Sequence, residues 1–218
     1  VRLFRLTAFL LALACGVAAA ENEVRLLDPE QPIEPTWTLQ SFGTPTRFRR
    51  LRLDDIAVIE ANGNSSAGGL FRDVKYFPRT HPIVEWRWRV DRLPVAGDLR
   101  TKDKDDVAAA IFFIFGKYGF FRPEPQTLAY AWGGPANPKG SMIVSPRHPG
   151  TARTIILRSG SDELGQWRVE RRDLLADYRS AFGTDPPEQV EVLAIWGDSD
   201  QTKDALKAYF GAIRALPR

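Results

Sequence analysis

Residues Val84 to Val90 alternate without exception: Val84, Trp86, Trp88 and Val90 on one side, Glu85, Arg87 and Arg89 on the other. A β-strand turns successive side chains to opposite faces, whereas a helix of 3.6 residues per turn would spread these four apolar groups around its circumference. The stretch therefore predicts a strand with one buried and one solvated face. Each tryptophan buries on the order of 200 Å², enough for this face to anchor a core.

Two other runs fit the same sheet-forming pattern. Val107 to Phe115 is apolar throughout and stops at Gly116. Its length and its Ile/Phe-rich end predict a central strand buried on both sides. Val190 to Trp196 is similar, with Glu191 as its only charge. Shorter strands are expected at Trp37–Phe42, Ile56–Ala61, Leu70–Tyr76, Thr127–Trp132, Thr154–Leu157, Gln166–Glu170 and Ala208–Ile213. Asn62-Gly63 predicts a hairpin turn, because both residues tolerate positive φ. One helix is expected from Asp173 to Phe182, where Leu174, Tyr178 and Phe182 recur every four residues and Gly183 can close the end. Many short strands separated by Gly/Pro turns, with one helix, predict an all-β (mainly β) two-sheet sandwich.

The N-terminal segment reads differently. Arg2 and Arg5 precede an apolar run from Leu6 to Val17, and Ala18-Ala19-Ala20 stands before Glu21. That is the layout of a secretory signal over residues 1–20, predicting a periplasmic or secreted protein. The run is too short for the ~20 apolar residues of a spanning helix. Cys15, the single cysteine, lies within it. It is read as an ordinary residue of the apolar region, with a lipidated cysteine as the alternative. Cleavage after Ala20 would leave no thiol for disulfides or metal sites. It would also remove Arg2 and Arg5, so that 30 basic and 27 acidic residues become 28 and 27. A balance so close to neutral gives no field for nucleic acid. Residues 21–36, with three prolines between Asp28 and Pro35, are expected to lead into a single domain over 37–218.

From Trp37 to Ile213 several pieces occur in an order that resembles the exported bacterial family known as domain of unknown function 3047. They are Ser65-Ser66-Ala67-Gly68-Gly69-Leu70, Pro82 with Glu85-Trp86-Arg87-Trp88-Arg89-Val90, and Asp105-Asp106 opening an apolar strand. Tyr130-Ala131-Trp132-Gly133 follows, then Arg172-Asp173 with Asp177-Tyr178-Arg179 and Phe182-Gly183, and finally Gly197-Asp198-Ser199-Asp200-Gln201-Thr202. The resemblance implies a jelly-roll-like sandwich in the cell envelope and brings no activity with it. Gln201 departs from the asparagine of the family pattern.

Two acidic groups precede and follow the apolar strands: Asp103, Asp105 and Asp106 before one, Asp198 and Asp200 after the other. If those strands are antiparallel neighbours, Asp105, Asp106, Asp198 and Asp200 share an edge. Calcium, which takes six to eight oxygen ligands, is the candidate ion there. Without such convergence they are solvated turns balanced by Lys102, Lys104 and Lys203. The same carboxyls would suit a glycosidase pair. Tyr130 and Trp132 share a face beside Gly133-Gly134-Pro135, either as a sugar-stacking platform or as core. Arg87 and Arg89 either line a groove for an acidic glycan or pair with nearby acids. Asp173 is placed to cap the helix. His81 and His148, each before a proline, are read as loop residues, with no nucleophile elbow or zinc spacing around them. The leading expectation is a non-catalytic protein that binds a glycan or envelope component. The alternatives are a carbohydrate-active hydrolase using an aspartate pair and a structural envelope protein that binds another protein.

Overall fold

The computed structural model describes residues 23–116 and 124–218. The expected signal segment and Cys15 lie outside them. The alternating stretch is the middle of β6 (Ile83–Arg92), with Val84, Trp86, Trp88 and Val90 buried as expected. β6 belongs to a six-stranded sheet in the order β11 (Arg168–Asp173), β6, β13 (Ala205–Leu216), β4 (Ile56–Asn64), β3 (Arg47–Leu53), with β1 (Val24–Leu27) also paired to β13. The second sheet has seven strands in the order β2 (Thr38–Phe42), β5 (Ala67–Tyr76), β12 (Val190–Asp198), β7 (Val107–Phe115), β8 (Gln126–Gly133), β10 (Ala152–Ser159), β9 (Met142–Val144). All neighbours are antiparallel except β8 and β10.

The sheets pack face to face through large rings. Trp86 and Trp88 meet Tyr130 and Trp132 of the opposite sheet, with centroids 5.2 Å apart for Trp86–Tyr130 and 6.0 Å for Trp88–Trp132. Buried rings keep a partner for their polar ends where one is in reach. Trp88 Nε1 donates to Glu170 at 3.1 Å, and Trp132 Nε1 donates to the Gly160 carbonyl at 3.3 Å.

The helix is α1 (Leu174–Phe182), and both of its predicted ends hold. The Asp173 carboxylate accepts from Ala176 N at 3.0 Å, and Gly183 closes the helix at φ 73°. Three expectations are corrected. Asn62-Gly63 is not a turn. Asn62 is paired on both sides, to Arg47 of β3 and Lys207 of β13, so β4 runs on and reverses at Ser65-Ser66. The lead-in segment contributes β1, which places Leu26 and Leu27 in the core. β7 is buried on both sides only in its first half: Ile111, Phe113 and Phe115 enter the core and Val107 and Ala110 a second apolar cluster, while Phe112 and Ile114 are half-buried along an outer trough. Arginine-rich β3 and three-residue β9 show too little alternation to be read from sequence.

Candidate functional site

The trough lies on the outer face of the seven-stranded sheet and has a volume of about 730 Å³. Register explains its shape. Gly69, Trp196, Ala110, Ala131 and Ile156 sit side by side across five strands. In the next row Phe71, Ala194, Phe112, Ala129 and Thr154 do the same. Small residues on β7 and β8 leave a floor, and large ones on β5, β12 and β7 raise a wall. The result is a second apolar cluster separate from the core, centred on Trp196, Ala110, Ala131 and Ile156.

Trp196 organises the wall. Phe112 stacks on it at 6.0 Å with the planes 22° apart, Phe71 meets it edge-on at 6.2 Å, and Phe42 tilts over it at 6.0 Å. Phe42 is 67% exposed at the edge strand. Gly69 makes this arrangement possible: a Cβ there would lie 2.5 Å from Trp196 Cε3 and 2.7 Å from the Ile195 carbonyl oxygen.

One end of the trough carries the aspartates. β7 and β12 are antiparallel neighbours, with Asp198 opposite Val107, so the start of one and the end of the other do share an edge. Asp106, Asp198 and Asp200 each bring one carboxylate oxygen within 4.8 Å of the others. Asp106 is fully buried and accepts from Gln201 N at 3.1 Å, from Thr202 N at 2.7 Å and from the Thr202 hydroxyl. Burial, then the hydrogen bond that the protonated Asp198 donates to Asp200 and the charges of Asp106 and Asp200, push the Asp198 carboxyl up to about 9. Asp200 Oδ1 and Gln201 Oε1 are buried without a hydrogen-bond partner. Below them, the Thr46 hydroxyl donates to the Gly197 carbonyl at 2.9 Å, and Ser199 N donates to the Ser66 carbonyl at 2.8 Å. These bonds tie the Ser65–Gly69 and Gly197–Thr202 stretches into one support.

The other expected residues go elsewhere. Asp105 lines the same trough but is not one of the trio, and Arg147 donates to its two oxygens at 2.5 and 2.7 Å. That bond, ahead of the opposing cost of burial, raises the Arg147 guanidinium. Asp103 is exposed. Lys102, Lys104 and Lys203 make no salt bridge to the trio among the described residues. Tyr130 and Trp132 share a face as expected, but it is the inner one. Both are 0% exposed, so they are core and not a stacking platform. Arg87 and Arg89 lie on the outer face of the other sheet, away from the trough; Arg89 pairs with Asp91 at 2.6 Å and Asp54 at 3.3 Å. Sequence reasoning missed Phe42, Phe71, Phe112 and Trp196. The available signal was the small–large pattern Ala110, Phe112, Ile114 on the second side of an all-apolar strand.

Among the described residues no helix is long and apolar enough to cross a membrane. No curated protein matches the chain. Among solved structures it is similar to the family 11 carbohydrate-binding module of the cellulosomal cellulase Lic26A-Cel5E of Clostridium thermocellum (10% identity, 90% of this chain and 95% of that one, TM-score 0.49). It is also similar to the xyloglucanase domain of NopAA, a type three effector from Sinorhizobium fredii, in complex with cellobiose (9% identity, 84% and 93%, TM-score 0.45). Likenesses this loose say nothing about a ligand. The family model described as "Protein of unknown function (DUF3047)" matches residues 35–214, and the chain belongs to that family.

Proposed function

We propose that this is an exported, non-catalytic protein that binds a glycan in the trough of the seven-stranded sheet. One observation carries the reading: an aromatic wall and an apolar floor face a small set of polar groups, among them Gln40, Thr154 and Asp198. Binding sites combine apolar surface with a few placed polar groups, and a sugar ring offers the matching chemistry, C–H faces and hydroxyl edges. Export is supported by the signal-like residues 1–20. Calcium is the proposed counter-ion of Asp106, Asp198 and Asp200. Its support is that the three carboxylates crowd one point and make no salt bridge among the described residues, Arg147 acting on Asp198 and Asp200 only through space, together with the two unpaired acceptors beside them.

The test is affinity electrophoresis of residues 21–218 on a panel of soluble polysaccharides, with calcium and with EDTA. The expected result is retardation by at least one polymer that is lost in Phe42→Ala, whose circular dichroism stays unchanged. Failure to bind any polymer in either condition overturns the proposal. A second reading, a retaining hydrolase, needs carboxyls about 5–5.5 Å apart, so that Asp198 and Asp200, within 4.8 Å and hydrogen-bonded to each other, would have to separate around the substrate. Polysaccharide turnover that disappears in Asp200→Asn, with binding kept, would select it.

A further inference from the structure

The charges of the trough bear on which class of glycan it takes. Every basic side chain lining it among the described residues already has a hydrogen-bond partner, which for Arg153 is backbone carbonyl and not an acid. Arg147 holds both oxygens of Asp105 and donates to the Lys102 carbonyl at 2.5 Å. Arg153 donates to the carbonyls of Pro149 and Ala152 at 2.8 and 2.9 Å, and its guanidinium lies 5.4 Å from the centre of the Phe182 ring. His148 Nδ1 is 2.8 Å from Glu124 Oε1. Asp198 and Asp200 feel the Arg147 charge only through space and make no salt bridge among the described residues. Asp198 accepts from the Asp200 backbone N–H at 3.4 Å and shares a side-chain hydrogen bond with Asp200, one oxygen of which is buried without a partner.

We infer that the trough selects uncharged glycans and rejects polyuronides and sulfated chains; the inference rests on the glycan reading of the site. A uronate or sulfate would have to dislodge an acid from Arg147, take Arg153 from its own loop, or lie beside Asp198 and Asp200. Like charges placed together across an interface act against the wrong partner, and this contributes more to specificity than to affinity. A neutral chain meets no such opposition. Its C–H faces lie against Phe112 and Trp196, and its hydroxyls donate to Asp200 Oδ1 and Gln201 Oε1, the buried acceptors without a partner. The buried acceptors favour a ligand rich in O–H donors over one rich in further acceptors, because an unmatched buried acceptor is costly.

The experiment compares galactomannan and hydroxyethylcellulose with polygalacturonate of matched length, by calorimetry in EDTA at low salt. EDTA removes any cation that would bridge a uronate to the acids. The expected result is that at least one neutral polymer binds tenfold or more tightly than polygalacturonate. The gap should narrow in Asp200→Asn and in high salt, which screens exposed charge. Loss of binding in Phe42→Ala assigns the signal to the trough. Polygalacturonate binding as tightly as the neutral polymers, or more tightly, overturns the inference and leaves the glycan reading standing. Absence of binding by both classes, extended to the wider panel above, overturns the glycan reading itself.

Discussion

The Tyr130 hydroxyl donates to Asp177 Oδ2 at 2.7 Å, joining β8 to the first turn of α1 inside the protein. Arg172 donates to both oxygens of the same carboxylate at 2.8 and 2.6 Å. Complete burial, then the charge of Asp177, hold the Tyr130 hydroxyl well above its ordinary pKa, so it stays a donor. Asp177→Ala leaves the buried hydroxyl without its acceptor and frees the half-exposed guanidinium, for a loss of about 1–3 kcal/mol. Tyr130→Phe removes one donor and leaves Asp177 held by Arg172, for a loss of about 1 kcal/mol. Urea denaturation of the two variants checks the order; equal losses would show that the arginine contributes nothing to holding the helix.

Gly69→Ala is expected to destabilise by about 1–3 kcal/mol, the usual cost of an added methyl with no space. The new Cβ would be 2.5 Å from Trp196 Cε3, so the indole must move. A shift in tryptophan emission and a weakened glycan affinity should accompany the lower melting temperature. Unchanged emission would mean that the backbone, not the ring, gives way.

Phe42→Ala separates binding from folding. An exposed side chain at an edge strand changes stability by about 0.5 kcal/mol or less. The same substitution removes the outermost ring of the aromatic wall. The expected pair of results is an unchanged melting temperature and at least a fivefold loss of polysaccharide affinity.

The acidic trio predicts a pH dependence in EDTA. An unfolded aspartate titrates near 3.9, whereas Asp198 in the folded protein titrates at about 9. Between those values the folded state holds a proton that the unfolded state has released. The contribution of this group to stability is therefore full below about pH 4 and is lost as pH rises toward 9. Asp198→Asn, which cannot titrate, should flatten the melting temperature between pH 5 and 9. A wild-type curve already flat over that range would refute the crowding of the three carboxylates.

Calcium gives the companion measurement at pH 8. Saturation at about 100 times the dissociation constant adds ~2.7 kcal/mol. For a domain of this size that is about 5–10 °C. Asp200→Ala should abolish the shift. Asp105→Ala should keep it, because Asp105 is bound to Arg147 and stands apart from the trio. Loss of the shift in both variants would place Asp105 among the ligands.

Period-two alternation in the sequence by itself determined the strand at Val84–Val90, the pairing of Tyr130 with Trp132 on one face, and the sandwich class. Capping chemistry did the same for α1, since Asp173 and Gly183 act on their own neighbours. Only the tertiary structure decided which face of β8 is the inside. Alternation states that two residues share a side, but the partner that covers that side lies far away in sequence. Asp105 and Asp106 show the same limit one residue apart: one meets Arg147, 42 residues on, while the other is buried beside Thr202, 96 residues on. The trough is likewise a product of register across strands that are distant in the chain. Ala110 becomes floor and Trp196 becomes wall because β12 pairs with β5 and β7, a long-range choice that no local propensity encodes.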